Sequence, residues 1–474
     1  MKTKVPFQNW ILFFYPKTTL QATLLLSQIK RLSSLEILDL QFQSKLLRDF
    51  KAFTHNLPYL KKFKTLNITF CYLDFSGSPL FCQFLRSLNV LRKLTQLHSL
   101  KLYFHHPSQI TNQSIYSLAS LLPELHSLKK VHIQFVGIGS LKSSTILQFF
   151  SSFGSLKNLT DITMDLRFCQ VDNNGISQIN SFFEGVSFLN PSQIQKLSID
   201  FTQDFDAPAL LNLAHTIFKF ASLVSLSQNF SSCNLLTAGS INQSLSQLQA
   251  LSNLSSLSLK FSSMEMLLSV VGSIAPALKA LRSLEDLNLD FSNLPNIQDE
   301  EMIMLFESLA DLTSLKYLDL NLSELELTCK DLENLALSLK RLDSLRSLGL
   351  NFGCTNLIGN KIAETLAGTL SSLKNLAFFS LEFDENDTID NDGLDQLGEA
   401  IRRLSILVKI HLSFFLCPQL NKSDQMLKDL LRALRNSKSL QELSLVLPRS
   451  QFIEDEAQQI SKRKIVKVTY FNNY

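Results

Sequence analysis

The residues of this chain that are best placed to do chemistry form a small acidic and amide cluster. Its members are Asp286, Asn288, Asp290, Asp319 and Asn321. Carboxylates and amides grouped in this way could anchor basic side chains of a partner through charge-assisted hydrogen bonds. The other interpretation is that polar residues occupy solvent-facing positions and bind nothing. The sequence leaves both interpretations open.

Motifs for catalysis are missing from the sequence. It contains no phosphate-binding glycine loop, zinc-ligand spacing, serine nucleophile elbow or kinase signature, and only 14 glycines occur in it. Five of the eight histidines lie between positions 98 and 132. They occupy different phases of the local pattern, which favours solvated surface histidines over a metal site. We therefore predict no catalytic, cofactor or metal site, and a protein that is not an enzyme.

Charge and composition narrow the choice of partner. The net charge of +3 comes from 45 basic and 42 acidic residues, which gives no reason to expect nucleic acid or an anionic membrane. No stretch approaches the roughly 20 apolar residues that a membrane-spanning helix needs. A protein partner remains, and the chain is a possible subunit of a large complex.

Cysteine usage and the N-terminus bear on the compartment. The seven cysteines are spread along the chain without a Cys-x-x-Cys pair, which suits a reducing environment. We expect a soluble protein in the cytoplasm. The first acidic residue is Glu36, and the basic segment before it leaves a mitochondrial transit peptide as the alternative.

A repeated sequence motif, Leu-x-x-Leu-x-Leu-x-Phe, indicates which secondary-structure elements position the acidic and amide cluster. It occurs at 35–42, 254–261 and 345–352. We number each copy by its second apolar residue, the index residue. The index residues are Leu38, Leu66, Leu100, Val131, Ile162, Leu197, Leu226, Leu257, Leu287, Leu318, Leu348, Phe379, Ile410 and Leu443, with a shorter copy at Val466. The mean period of about 31 residues predicts stacked supersecondary units.

Each copy predicts one strand and one helix. Leu38, Leu40 and Phe42 alternate with polar residues, which indicates a strand buried on one face. Ahead of a later strand, Leu332, Leu335 and Leu339 have the spacing of an amphipathic helix. Acidic residues at the predicted helix starts fit the positive end of the helix dipole.

Strand, loop and helix within about 31 residues resemble the leucine-rich repeat family, and the full helix resembles its ribonuclease-inhibitor-like subtype. The resemblance implies an α/β horseshoe with about 15 parallel strands on the concave side and helices on the convex side. We expect a single solenoid over 1–474. Residues 1–19 form an N-terminal cap, 20–447 form about 14 repeats, and 448–474 form a capping strand.

The copies depart from that family at one position and share a feature of their own. Where the family places a ladder of asparagines, five residues after the index residue, this chain has Gln43, Cys71, His105, Ser231, Ser262, Ser292, Ser323 or Asp384. Eleven of the fifteen strands place phenylalanine at the third inward position, namely Phe42, Phe70, Phe104, Phe135, Phe201, Phe230, Phe261, Phe291, Phe352, Phe383 and Phe414. We expect these rings to form a stacked core spine rather than a cofactor site.

Outward strand positions should form one continuous wall. In this wall, from Asp39 to Ser413, acids outnumber bases six to two, and one aromatic residue is present. Such a wall lacks the stacking platforms and basic groove of a single-stranded nucleic-acid site. We therefore expect a non-enzymatic protein–protein interaction scaffold or structural subunit that binds through the concave face or the solenoid ends. The alternative is an accessory activator of a small GTPase, as some members of the subtype are.

Overall fold

The computed structural model describes most of the chain in two compact units. The described residues are 35–43, 55–60, 62–71, 88–105, 111–136, 141–165, 181, 183–200, 207–233, 236–264, 270–294, 297–355, 359–422, 430–432, 434–448, 455, 458–461 and 465–471. Unit 1 is Met1–Asn229 and unit 2 is Phe230–Tyr474. The cap expected at 1–19 lies outside the described residues.

The described residues of unit 1 contain seven strands. They are β1 (Ile37–Gln43), β2 (Thr65–Cys71), β3 (Ser99–His105), β4 (Lys130–Val136), β5 (Asp161–Asp165), β6 (Lys196–Asp200) and β7 (Ser225–Asn229). The described α-helices between them are α1 (Asn112–Leu121), α2 (Ser143–Ser151) and α3 (Ala207–Ile217). Two earlier connections contain the short 3₁₀ helices Leu57–Tyr59 and Leu88–Lys93.

Unit 2 repeats strand and helix more regularly. Its strands are β8 (Ser256–Lys260), β9 (Asp286–Asp290), β10 (Tyr317–Asn321), β11 (Ser347–Asn351), β12 (Phe378–Glu382), β13 (Lys409–Ser413), β14 (Glu442–Pro448) and β15 (Ile465–Phe471). Its α-helices are α4 (Ala238–Ser246), α5 (Val270–Ala280), α6 (Asp299–Leu309), α7 (Cys329–Leu339), α8 (Gly359–Leu370) and α9 (Asn391–Arg402).

Within each unit the order of the strands in the sheet follows the chain, from β1 to β7 in unit 1 and from β8 to β15 in unit 2. The pairs within each unit are parallel, and their register joins one index residue to the next. Leu38 pairs with Leu66 and so on to Leu226, and Leu257 pairs with Leu287 and so on to Val466. A parallel-stranded α/β repeat solenoid is therefore confirmed, and the period alone located its strands.

Local sequence explains the helices. Asp299, Glu300 and Glu301 occupy the first turn of α6, where anionic side chains meet the free amides. Thr328 and Asp331 form a reciprocal capping box at the start of α7. Consecutive helices of unit 2 pack against one another, so each repeat buries its apolar helix face against its neighbours.

The phenylalanine spine is confirmed at every predicted position whose side chain is described. Phe104, Phe230, Phe261, Phe291, Phe352, Phe383 and Phe414 are all buried. Phe261 stacks on Phe291 with ring centroids 6.0 Å apart and planes 6° apart, and Phe383 and Phe414 stack at 6.0 Å. Leu322, also buried, takes this position in the repeat of β10. The side chains of Phe42, Phe70, Phe135 and Phe201 lie outside the described residues.

A left-handed turn follows each of the strands β7 to β13. Two residues after the spine position, seven non-glycine residues have φ between 53° and 61°: Ser232, Ser263, Asn293, Glu324, Cys354, Glu385 and Leu416. The N–H groups of the first six of these residues continue the inter-repeat hydrogen bonding, as Glu324 N donates to the Gly353 carbonyl at 2.9 Å and Cys354 N to the Asp384 carbonyl at 2.7 Å.

This turn corrects the expected position of the polar ladder. In four of the seven turns, a buried polar or thiol residue lies two residues later than expected, at Cys233, Thr355, Asn386 and Cys417; in the other three the position is Met264, Leu294 or Leu325. Asn386 Nδ2 donates to the Thr355 carbonyl at 2.7 Å, and Asn386 Oδ1 accepts from Ile389 N at 2.9 Å. Cys417 Sγ donates to the Phe383 carbonyl at 3.0 Å. The left-handed residue lengthens the turn, which moves the inward-facing site along the chain.

Candidate functional site

The predicted cluster lies on one face of β9 and β10 in unit 2. We call this surface the open face, meaning the side chains at the first, third and fifth positions of strands β8 to β13. Asn288 pairs with Asp319 and Asp290 pairs with Asn321, while Leu287 and Leu289 between them are buried. Asp286 stands opposite Tyr317. The structure therefore brings all five predicted residues onto two neighbouring strands.

Two members of the cluster, Asp290 and Asn321, stabilise the turns that follow their strands. Asp290 Oδ1 accepts from the backbone N of Ser292 at 3.1 Å and from its Oγ at 2.7 Å. Asn321 Oδ1 accepts from Ser323 N at 3.2 Å and from its Oγ at 2.9 Å. These are Asx turns that hold the chain as it leaves the strand. Asp290 Oδ1 and Asn321 Oδ1 are thus already engaged in hydrogen bonds within their own turns.

The other three members are bonded across strands. Asn288 Nδ2 donates to Asp319 Oδ2 at 3.0 Å, and Ser256 Oγ donates to Asp286 Oδ2 at 3.1 Å. Asp286 and Asp319 are exposed, so their charge reaches the solvent. These two carboxylates are the most exposed acidic groups of the cluster.

Asp319 is electrostatically the most perturbed member. Desolvation on the sheet raises the pKa of Asp319, Lys260 opposes the rise, and the carboxylates of Asp290 and Asp286 add to it. Lys260 pairs with Asp290 on the neighbouring strand β8. One cation therefore faces three carboxylates, and an additional cation at Asp319 would be favoured.

The sequence analysis missed two exposed aromatic residues on the same face. Tyr317 is 45% exposed and Phe378 is 41% exposed. They occupy the first positions of β10 and β12, on either side of Ser347. Each lies one residue before an index residue, so the period-two rule places it outward beside Asp319 or Ser380. The wall predicted from the sequence contains only outward positions that follow an index residue, so it did not include Tyr317 and Phe378.

Glu382 adds a further carboxylate near these aromatic rings. Burial raises the pKa of Glu382, and the charges of Asp384 and Asp319 raise it further. His411 Nε2 lies 3.7 Å from Glu382 Oε1. Burial lowers the pKa of His411, although Asp384 opposes this, so the imidazole is a weak counter-ion at neutral pH.

A second polar group lies on the sheet of unit 1. The rings of Tyr103 and His132 have centroids 4.8 Å apart. Burial and the Lys101 charge lower the pKa of His132, while Asp165 raises it. Burial and Asp39 raise the pKa of Tyr103. Both side chains are thus neutral near pH 7, which suits hydrogen bonding to a neutral or polar ligand.

On the helix side of unit 2, a cavity of about 750 Å³ is lined by residues of α8 and α9 and by Leu430, Arg432 and Asn436. Glu364, Glu399, Arg402 and Arg432 are among its lining residues. Because both charges occur there, the lining selects no class of ligand.

Comparison with known proteins gives no relative. Neither a protein-family model nor a curated protein matches the chain.

Among the described residues, no group of three or more His, Cys, Asp or Glu side chains could hold a metal ion. Within the same part of the chain, no helix combines the length and apolar character needed to cross a bilayer.

Proposed function

We propose that this chain is a leucine-rich repeat protein of the ribonuclease-inhibitor-like subtype. The strand–helix repeat of about 31 residues supports this proposal, as do the index residues that stack in register. Further support comes from the buried Asn386, which bonds to turn backbone on both sides as a ladder asparagine would.

The proposed function is that of a non-enzymatic scaffold that holds a protein partner against the open face. The observation that carries this proposal is the presence of Tyr317 and Phe378, both substantially exposed, on a sheet face that also presents Asp286 and Asp319. Aromatic residues within a polar surround are the composition that protein interfaces favour.

Two of the described thiols, Cys417 and Cys354, are poorly suited to covalent catalysis. Burial raises the pKa of Cys417 to about 12, and the carboxylates of Asp384 and Asp387 contribute. Burial and then Glu385 raise the pKa of Cys354. Such thiols stay protonated at neutral pH and are poor nucleophiles. Cys329, Cys354 and Cys417 carry free thiols, in keeping with the proposed reducing compartment.

Site-specific photo-crosslinking tests the scaffold proposal. A photoreactive amino acid replaces Ser258 or Ser380 on the open face, or Leu337, which is 61% exposed on α7, as the control. After irradiation in cytosol of the source organism, we expect one protein adduct from the two sheet positions and none from position 337. Adducts from position 337 alone would overturn the proposal. An adduct with a small GTPase whose hydrolysis rate rises on adding the chain would instead establish the activator alternative.

A further inference from the structure

A groove runs along β11 on the open face. The first two outward residues of β11, Ser347 and Gly349, are small, and Asn351 follows at the end of the strand. The register places Ser347 between Tyr317 of β10 and Phe378 of β12. Two exposed rings therefore stand on either side of a strand that presents almost no side-chain bulk.

The width of this groove fits one unbranched side chain. Neighbouring strands are about 4.8 Å apart, so the backbones of β10 and β12 are separated by about 9.6 Å. Side chains stand roughly perpendicular to a sheet, and apolar groups are in contact at about 4 Å. A single methylene chain or a planar group placed over Ser347 would therefore contact both rings.

Gly349 lets a carboxylate reach the floor of the groove. A Cβ atom at position 349 would lie 2.6 Å from Asp319 Oδ1, a distance that no side chain tolerates without displacing that carboxylate. Asn288 Nδ2 holds Asp319 Oδ2 at 3.0 Å from the far side. The carboxylate of Asp319 is thus fixed over β11, one residue along the groove from the two rings.

The charges around the groove decide the sign of its occupant. Glu382 lies on the β12 wall, diagonally across Gly349 from Asp319. Lys409 of β13, which is registered with Phe378, is paired with Glu442 at 3.0 Å. Arg346 precedes Ser347 at one end of the groove. Lys260 is registered with Asp290, two strands from β10 on the opposite side. Nucleic acid and anionic lipid are repelled by such a surface, whereas a cationic side chain is attracted.

We propose that the β11 groove binds an extended basic segment of the partner protein, with one arginine side chain between Tyr317 and Phe378 and its guanidinium on Asp319. This proposal rests on the proposed function, since it assigns the partner chemistry at the same open face. Arginine fits better than lysine because its planar guanidinium stacks on aromatic rings and pairs with carboxylates in a fork geometry. The two rings also contribute cation–π attraction. Glu382 is close enough to add a second, longer-range attraction.

The test uses a fluorescein-labelled probe, Gly-Arg-Gly-Arg-Gly-Arg-Gly amide, and a twin in which citrulline replaces every arginine. Citrulline keeps the shape and removes the charge. Fluorescence anisotropy with the full chain should show that the arginine probe binds at least tenfold tighter than the twin. A lysine version of the probe should bind at least threefold more weakly than the arginine probe.

Four variants locate the probe. Tyr317→Ala, Phe378→Ala, Asp319→Asn and Gly349→Ala should each raise the probe Kd by about fivefold, since each removes one wall, the anion or the space that the anion occupies. Two matched controls should leave the Kd within twofold. Phe188→Ala removes an aromatic side chain that is 51% exposed in unit 1, and Glu307→Gln removes an exposed acid of α6. Thermal melts confirm that every variant is folded.

The outcomes separate this assignment from the proposed function. Equal binding of the arginine and citrulline probes, or an unchanged Kd in the four folded variants, would overturn the groove assignment. An equally tight lysine probe would overturn the choice of arginine. If photo-crosslinks still form from Ser258 and Ser380 in those cases, the scaffold function stands and only the groove assignment fails.

Discussion

Phenylalanines in unit 2 have opposite environments according to their position in the repeat. Phe291, at the third inward position, is 0% exposed and stacks on Phe261. Phe378, one residue before an index residue, stands on the open face. Residue type is the same at both sites, so strand parity alone decides between a core side chain and a binding side chain.

Phe291→Ala should therefore be strongly destabilising. It leaves a cavity beside Phe261 in a close-packed row, and we expect a loss of about 3–5 kcal/mol in the free energy of unfolding. Urea denaturation measures this loss. Phe378→Ala is the matched control and should cost below about 1 kcal/mol. Comparable losses in the two variants would show that the spine is not the core of this unit.

The raised pKa of Asp319 gives a prediction about pH. A carboxyl group whose pKa is higher in the folded state than in the unfolded state weakens folding once pH rises above its unfolded pKa of about 4. Asp319→Asn should thus raise the melting temperature at pH 7 and change it little at pH 3, where the carboxyl is protonated in both states. Because the side chain of Asp319 still reaches the solvent, screening limits the gain to about 0.5 kcal/mol. Glu307→Gln, measured in parallel, controls for the general effect of removing a surface acid, and an equal gain at both pH values would contradict the electrostatic cause.

The turns that leave the strands are stabilised at two levels. Asx turns at Asp290, Asn321 and Asn351 hold the first residues after the strand. Deeper in unit 2, Asn386 bonds to the backbone of its own turn and of the preceding repeat. The charged residues of the open face are thus partly structural, which is why the acidic cluster by itself does not define a binding site.

Asn386→Ala tests how much the buried hydrogen bonds of Asn386 stabilise the turn. The substitution leaves the Thr355 carbonyl and the Ile389 N–H without their side-chain partner in the interior, so we expect a loss of about 2–4 kcal/mol. Asn375→Ala is the matched control, because exposed Asn375 makes one hydrogen bond to the Asp343 carbonyl at 2.8 Å. Its cost should stay below about 1 kcal/mol. Equal costs in urea denaturation would show that burial of the amide is unimportant.

The sequence predicted strand elements better than turns. Strand positions follow from a repeat of apolar residues, and every index residue from Leu257 to Val466 pairs as the period requires. The turn after the strand was misplaced because its left-handed residues, such as Glu324 and Leu416, are not glycines and carry no visible signal. The groove was missed because it depends on side chains from three strands that only the register brings together.

In unit 2 as a whole, each repeat contacts mainly the repeat before it and the repeat after it. Strands pair with the strand before and the strand after in the chain, and helices do the same. In the described part of unit 2, the core is not closed by segments that are distant from one another in the chain. Stability should therefore approximate a sum of repeat and neighbour terms rather than a single global quantity.

This locality predicts where a core defect is felt. Phe291 lies in the repeat of β9, its ring contacts Phe261 of the preceding repeat, and its N–H donates to the Asn321 carbonyl of the following repeat. Phe291→Ala should accelerate amide hydrogen exchange in β8 to β10, and the effect should fade within about two repeats, leaving β13 to β15 near wild-type rates. Exchange followed by mass spectrometry of peptides from each strand measures the profile. A uniform acceleration from β8 to β15 would show that unit 2 opens as one cooperative body, and stability would then have to be described by a single unfolding free energy.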